Sequence, residues 1–571
     1  MRLMRWAAVA CVLGIGALST AAAATGNPKL LVLVIFDQFR GDYLARWDEL
    51  FANDGFRRLE REGTWFTNCH YPYAVTMTAP GHASLATGCS PDRHGIVTNE
   101  WFDRTAGEMV YSATTERYRV VTSLTPDVEA EIVRKQKKKE KGSGTPDRML
   151  VPTFAETLRD STGGKSKIVA VSLKDRSAVM PGGRTADTCY WFDDRFGQFV
   201  TSTFYRSQPH GWVAEYNRGR PADRWFGTSW SHFRSDLDYS RYSGPDDIAA
   251  EGTGVVKKQG RVFPHPMNAG LDQPGRDYYD TVVTSPFGNE LLLDFAIRAM
   301  DAENLGRNEG TDFLSISFSS NDLIGHQYGP DSQEVLDVTL RSDLIVRDLL
   351  AALDQRVGKG RYLLALTADH GICPLPEISA ARGKPAKRIG AALFAAKALN
   401  YLVEKFGPGD GKAPWIDSIA AFPWVYLNHK LIAAKGLKEA DVTDALADYI
   451  RGQDGIQAVY TRLQLQAPPT TTDEPALKLL RKSYHADRCG DLAVITKPYY
   501  LLTPYPFGTS HGTPHSYDTF VPLVVLGPGI PAGRCEETVS PLAVVPILAR
   551  AAGIPTPATA EATLPDRLRS K

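Results

Sequence analysis

Leu30-Leu31-Val32-Leu33-Val34-Ile35-Phe36-Asp37 is an unbroken apolar run closed by a carboxylate. A run this short, rich in branched side chains and without alternation, fits a strand covered on both faces. Residues 167–172, 313–318, 362–367 and 520–526 have the same character. Helical periodicity separates several of these runs, notably over 290–302 and 332–352. Strand and helix in alternation predict an α/β fold: a three-layer core with a mainly parallel central sheet and helices on both faces.

In open parallel sheets, ligands gather at the carboxyl ends of the strands. Asp37 closes the first run, Asp322 and His326 follow 313–318, Asp369 and His370 follow 362–367, and His511 precedes 520–526. Asp322 and His326 are four apart, so one helical turn would put them on one face. Gly371, directly after His370, permits close backbone approach. Three Asp and three His suffice for two three-ligand sites of the kind catalytic zinc uses. Paired metals about 4 Å apart suit in-line displacement at phosphorus. A lone Asp-His pair specifies nothing, but several such fragments at one sheet edge point to a bimetallic centre.

Thr76-Met77-Thr78-Ala79-Pro80-Gly81-His82 reads as a turn entering a helix, with Pro80 suited to a first turn. A hydroxyl there sits in a positive field beside free backbone amides. Contact with a metal would favour its alkoxide. Thr78 is therefore the candidate nucleophile, although an isolated Thr before Pro would ordinarily cap a helix. Asn99 is a candidate donor to a phosphoryl oxygen, in a loop where Asn also forms turns. Lys174 and Arg176 lie just past 167–172 and would project to one side of an extended chain. A guanidinium fork and an ammonium suit a phosphate dianion.

Over 571 residues the formal net charge is zero, which offers nothing to draw a nucleic acid or an anionic membrane. The basic run 134–141 reads as a solvated loop. Arg2 and Arg5, an apolar stretch over 7–18 and small residues over 21–24 compose a signal peptide at 1–24. That stretch is shorter than the roughly 20 residues needed to span a bilayer, so the mature protein is expected to be soluble, off the membrane, and periplasmic or secreted. Cys69, Cys89, Cys189, Cys373, Cys489 and Cys535 then remain, an even number that favours disulfides in an oxidising compartment, with Cys69 and Cys89 as a local pair. Two stretches interrupt the core rhythm: about 185–278, rich in aromatic residues, Gly, Asp and Arg, and about 374–500, with helical pieces over 391–406 and 439–451. Both begin beyond strand ends, so a cap over the active edge is expected, with peripheral elaboration the alternative for the second. The Asp-rich stretch 236–247 is a candidate Ca2+ loop.

VIFDQFRGDYL (Asp37), TAPGHASLATG (Thr78), HGIVTNEWFD (Asn99), SNDLIGHQYGP (Asp322, His326), TADHG (Asp369, His370) and SHGTPHSYDTFVPLVVLGPG (His511) occur in this order along the chain. As an ordered set they resemble the alkaline phosphatase superfamily, in its threonine-nucleophile branch. That branch includes phosphate-irrepressible alkaline phosphatases and the nucleotide pyrophosphatase/phosphodiesterases. The resemblance implies two Zn2+ per chain, one held by Asp322, His326 and His511, the other by Asp37, Asp369 and His370. Thr78 would touch the latter and attack phosphorus, and Asn99 would bind a nonbridging oxygen. The Lys174/Arg176 pair resembles that of the alkaline phosphatases and implies monoesters of small molecules as substrates; a phosphodiesterase or nucleotide pyrophosphatase is the alternative. His82 would pack or hydrogen-bond within the nucleophile motif, and His515 is a rival to His511. Cys89-Ser90-Pro91-Asp92-Arg93 fits the CxPxR pattern of sulfatases, but Thr78 holds the place before ASLATG where their nucleophile stands. Cys89 is therefore expected to be structural.

Overall fold

The computed structural model describes residues 27–135, 143–254, 259–268, 270–409, 414–419 and 422–569. The expected leader and most of the 134–141 run lie outside the described residues. A ten-stranded sheet forms the centre. Its strands are β1 (Leu30–Phe36), β2 (Thr64–Cys69), β3 (Val120–Val121), β4 (Ile168–Ser172), β5 (Thr188–Asp193), β6 (Gln198–Ser202), β7 (Asp312–Phe318), β8 (Tyr362–Thr367), β9 (Leu523–Leu526) and β10 (Gly533–Val539). The order across the sheet is β10-β2-β9-β8-β1-β7-β4-β5-β6-β3. β8, β1, β7, β4 and β5 run parallel, and every residue in them is buried. Burial on both faces is what made β1 and β8 read as continuous apolar runs.

The run at 520–526 forms a strand only from Leu523, and that strand is antiparallel to β8, with Thr367 opposite Leu523 and Leu364 opposite Leu526. The start of β9 therefore lies at the same edge as the ends of β1, β7 and β8. This is why His511, upstream of its strand, joins residues that lie downstream of theirs. The helices that matter for the site are α1 (Thr78–Thr87), α2 (Asp175–Gly182), α3 (Pro286–Ala302), α4 (Ser320–Tyr328) and α5 (Gln333–Arg356). Ser332 caps α5 by accepting from the Val335 amide.

Within 185–278, β5 and β6 belong to the central sheet. The chain beyond them reaches the active edge, where the Gly252 amide donates to the Gln327 carbonyl at 2.7 Å, next to His326. Within 374–500, a four-stranded sheet runs Ile416–Ser418, Trp424–Leu427, Leu492–Thr496, Ile456–Thr461. The helices Ala391–Phe406 and Glu439–Arg451 close over it around a core that includes Leu402, Trp415 and Leu446. A second core is shared between this unit and the segment entering α1: Val75, Ala79 and Ala83 pack with Trp424, Tyr426 and Leu480. Ser483 Oγ accepts from the Ala74 and Val75 amides at 3.0 Å each. The second interruption thus braces the approach to Thr78.

Two expectations change. The six described cysteines are all free thiols. Cys69 ends β2 at the active edge, whereas the ten-residue α1 carries Cys89 about 15 Å toward the other edge, so the expected local pair does not form. The carboxylates of 236–247 serve local chain rather than converging: Asp236 takes Arg234, Asp238 takes Ser240, Asp246 takes the Phe263 amide and Asp247 takes Arg261. Among the described residues, no helix is long and apolar enough to cross a membrane.

Candidate active site

α1 starts directly after Met77, whose backbone is extended, and stops at Gly88 in the left-handed region at φ +71°. All ten of its residues are buried. Gly81 is required by contact: a Cβ there would lie 2.4 Å from the Asp369 carbonyl oxygen. The helix start is therefore pressed against the end of β8, and Thr78 Oγ1 comes to 3.4 Å from His370 Nε2.

The expected ligands meet in two groups, Asp37-Asp369-His370 and Asp322-His326-His511, each with one ligand atom per residue within 4.8 Å of the others. In the first, His370 Nε2 lies 3.5 Å from Asp37 Oδ1 and 3.4 Å from Asp369 Oδ2. In the second, Asp322 Oδ1 lies 3.2 Å from His326 Nε2 and 3.6 Å from His511 Nε2. The groups adjoin, for the His370 and His511 rings stack at 3.6 Å between centroids.

Every histidine in these groups spends Nδ1 on a backbone carbonyl: His326 on Thr509 at 2.8 Å, His511 on Thr76 at 2.8 Å and His370 on Gly371 at 2.9 Å. A carbonyl only accepts, so Nδ1 carries the proton and the Nε2 lone pair faces the carboxylates. Burial pushes His370 and His511 below the ordinary imidazole value, which keeps them neutral. Asp37 is pushed well up by burial and then by the neighbouring Asp369 charge.

Asp37 Oδ1 and Asp369 Oδ2 are buried without a hydrogen-bond partner. Three buried carboxylates face a single ammonium, that of Lys174. Unpartnered oxygens, presented imidazole lone pairs and excess negative charge together make a donor set that fits two cations.

Lys174 and Arg176 do not continue as extended chain; the backbone turns into α2 at Asp175, so the two side chains diverge. Lys174 Nζ donates to Asp37 Oδ2 at 2.7 Å and to Asp322 Oδ2 at 2.6 Å, one carboxylate from each group. Arg176 Nη1 donates to Tyr111 Oη at 3.0 Å, and that hydroxyl donates to Asp175 Oδ1 at 2.6 Å. Both cations border a 510 Å³ cleft that Trp191, Phe192 and Arg195 help to line. Asn99 Oδ1 accepts from the Ala79 amide at 2.8 Å, so its amide hydrogens are what it has to offer an oxygen beside Thr78.

The other histidines lie outside the two groups. His82 Nδ1 donates to the Thr78 carbonyl at 2.8 Å and sits 3.2 Å from Asp369 Oδ2, while its Nε2 meets Ser317 Oγ. His515 Nε2 is engaged by the Thr496 carbonyl at 2.9 Å. Cys89 donates to Thr87 Oγ1 at 3.3 Å, and burial pushes its thiol up to about 11. A protonated thiol at the far end of α1 is no nucleophile for this site. Sequence reasoning missed Tyr111 and Asp175, which aim Arg176, and Gln38, which touches both groups.

Comparison with known proteins agrees with this geometry. The family of type I phosphodiesterases / nucleotide pyrophosphatases matches residues 31–518. Alkaline phosphatase PhoV of Synechococcus elongatus is 32% identical over 524 residues, covering 90% of this chain and 87% of that protein. Alkaline phosphatase PafA of Elizabethkingia meningoseptica is 32% identical over 518 residues, covering 90% and 89%. A crystal structure of PafA superposes with a TM-score of 0.86 at 30% identity, over 96% of this chain and 100% of that one. With the match running from β1 through the His511 segment, over the stretch that supplies both ligand groups and Thr78, the chain belongs to the type I phosphodiesterase / nucleotide pyrophosphatase family of the alkaline phosphatase superfamily.

Proposed function

We propose that this chain is an alkaline phosphatase that hydrolyses monoesters of small molecules, with two zinc ions and a phosphothreonine formed at Thr78. The observation that carries the reading is Lys174, whose ammonium links a carboxylate of one ligand group to a carboxylate of the other. It stands where a phosphoryl group spanning both groups would need charge, with Arg176 at the adjoining cleft. The alkaline phosphatase names of PhoV and PafA support the same reading.

Asp322, His326 and His511 would hold one ion, and Asp37, Asp369 and His370 the other. When bound, such a pair supplies positive charge to the entering and departing oxygens. Thr78 Oγ, as the alkoxide, forms the bond to phosphorus while the bond from phosphorus to the alcohol oxygen breaks, and the departing alkoxide takes a proton from water. Water then attacks phospho-Thr78, releasing inorganic phosphate and restoring the hydroxyl. Asn99, Lys174 and Arg176 hold the nonbridging oxygens, so their contribution is position and electrostatics. Lys174 becomes available for this once Asp37 and Asp322 hold cations. The leader over 1–24 supports export to the periplasm or medium.

A dianionic monoester needs this extra positive charge more than a diester monoanion does. Replacing both Lys174 and Arg176 by Ala is therefore expected to lower kcat/KM for phenyl phosphate by roughly 10²-fold or more, at about 1.5–3 kcal/mol per charged hydrogen bond. The loss for a bis-ester should be far smaller. Wild-type preference for the bis-ester, or equal losses on both substrates, would replace this reading with the diesterase one.

Tyr111 gives a finer test. Its hydroxyl is the acceptor that orients the Arg176 guanidinium and the donor that Asp175 receives. Tyr111→Phe is expected to reduce kcat/KM for monoesters about tenfold, near 1–1.5 kcal/mol for one hydrogen bond, with unchanged metal content. Unaltered kinetics would show that Arg176 needs no such support.

A further inference from the structure

We infer that Gln38 is a positioning residue that sets the geometry of both metal groups at once, an inference that rests on the metal-dependent reading above. Gln38 follows Asp37 and is 2% exposed. Its backbone amide donates to Asp369 Oδ1 at 3.1 Å, within the first group. Its side-chain Nε2 donates to Asp322 Oδ1 at 2.6 Å, within the second. That Asp322 oxygen is the one facing His326 and His511. One residue thus spans the two groups, through its main chain to one and its side chain to the other.

Two features show that this placement is built. Gln38 has φ +68°, left-handed backbone that a residue other than glycine rarely adopts and that Gln has no local hydrogen bond to reward. Such backbone persists where surrounding structure enforces it, and it clusters at functional sites. In addition, α4 presents Gly325 to the Gln38 side chain, three residues after Asp322 and directly before His326. A Cβ at 325 would lie 1.9 Å from Gln38 Oε1. The helix that carries two ligands therefore has a gap where this amide sits. A core-filling role would require neither the bridging bonds nor the backbone cost.

The second partner of a metal ligand fixes the ligand's orientation, and losing it typically weakens metal binding about 10- to 100-fold. Only the side chain of Gln38 serves the Asp322 group, so a side-chain substitution should act on one ion of the two. The experiment is zinc binding to the metal-stripped full chain, measured by competition with a chelator of known affinity, with the unfolding midpoint of the metal-free protein recorded alongside. Gln38→Met keeps the volume and removes the donor. It is expected to weaken one of the two binding steps roughly 10- to 100-fold and leave the other unchanged. Gly325→Ala, which displaces the same amide from the opposite element, should reproduce that pattern and decides the matter should Gln38→Met not fold.

Both steps unchanged in these variants would overturn the inference. So would both steps weakened equally with a lowered unfolding midpoint, the pattern of lost packing. A wild-type chain that binds fewer than two zinc ions would overturn the metal reading itself and this inference with it.

Discussion

Thr78→Ala is expected to retain the wild-type metal content and to lose roughly 10⁴- to 10⁶-fold in kcat, the scale seen when a nucleophile is removed from a hydrolase that works through a covalent intermediate. The variant separates chemistry from architecture because Thr78 contributes little to holding the site together. Of the six residues in the two ligand groups, His370 meets its hydroxyl, at a long 3.4 Å, and the His370 ring is held separately by the Gly371 carbonyl at 2.9 Å. The Asn99 bond is to the Ala79 amide, and the His82 bond is to the Thr78 carbonyl, so both survive the substitution. The cost to stability should be that of an ordinary buried substitution, about 1 kcal/mol. Thr78→Ser, which keeps a hydroxyl, should lose far less activity. Acid quenching of wild type during turnover should trap phosphate on the chain, and the Ala variant should trap none. Near-wild-type turnover by Thr78→Ala would remove Thr78 from the mechanism.

What could be read before folding, and what could not, follows from which physical signals are local. β1 and β8 are legible because full burial leaves continuous apolar runs. β10, in contrast, alternates half-buried with exposed residues along GRCEETV and carries no such signature. β5 was hidden within an aromatic-rich stretch that resembled an insertion. Strand direction is also invisible, since an apolar run looks the same either way; only the pairing of β9 with β8 revealed that it runs antiparallel.

The six candidate ligands were legible because each lies near the end or start of a strand, where topology rather than fine geometry brings them together. Gln38 was not, because its meaning depends on a backbone angle and on a missing Cβ nearly three hundred positions away. Tyr111 acts from the hairpin formed by Glu100–Asp103 and Glu108–Tyr111 onto a side chain that the sequence placed in extended chain. Counting cysteines reports parity, not separation, and so the pairing of Cys69 with Cys89 was wrongly expected.

Removing the metals should abolish turnover and destabilise the fold, and the choice of metal that restores them discriminates between donor sets. The site brings Asp37, Asp322 and Asp369 into a buried volume with one ammonium among them. Without cations, that charge is offset among the described residues by Lys174 and the Gln38 donors, with the Arg176 guanidinium acting on Asp37. An ion that binds the folded chain alone adds about 4 kcal/mol when its free concentration is 1,000 times its Kd. Exhaustive chelation should therefore lower the unfolding midpoint along with activity. Each group mixes imidazole nitrogen with carboxylate oxygen. Such sets favour zinc or its transition-metal neighbours over calcium, which takes six to eight oxygens, and over magnesium, which prefers carboxylate and water. Addition of Zn2+ to the stripped protein should restore both activity and midpoint, saturating at two equivalents, while Ca2+ should restore neither. Full activity in protein shown by elemental analysis to be metal-free would refute the bimetallic reading. Restoration by Ca2+ alone would instead mean that oxygen ligands outside these two groups, and not His326, His370 and His511, govern the chemistry.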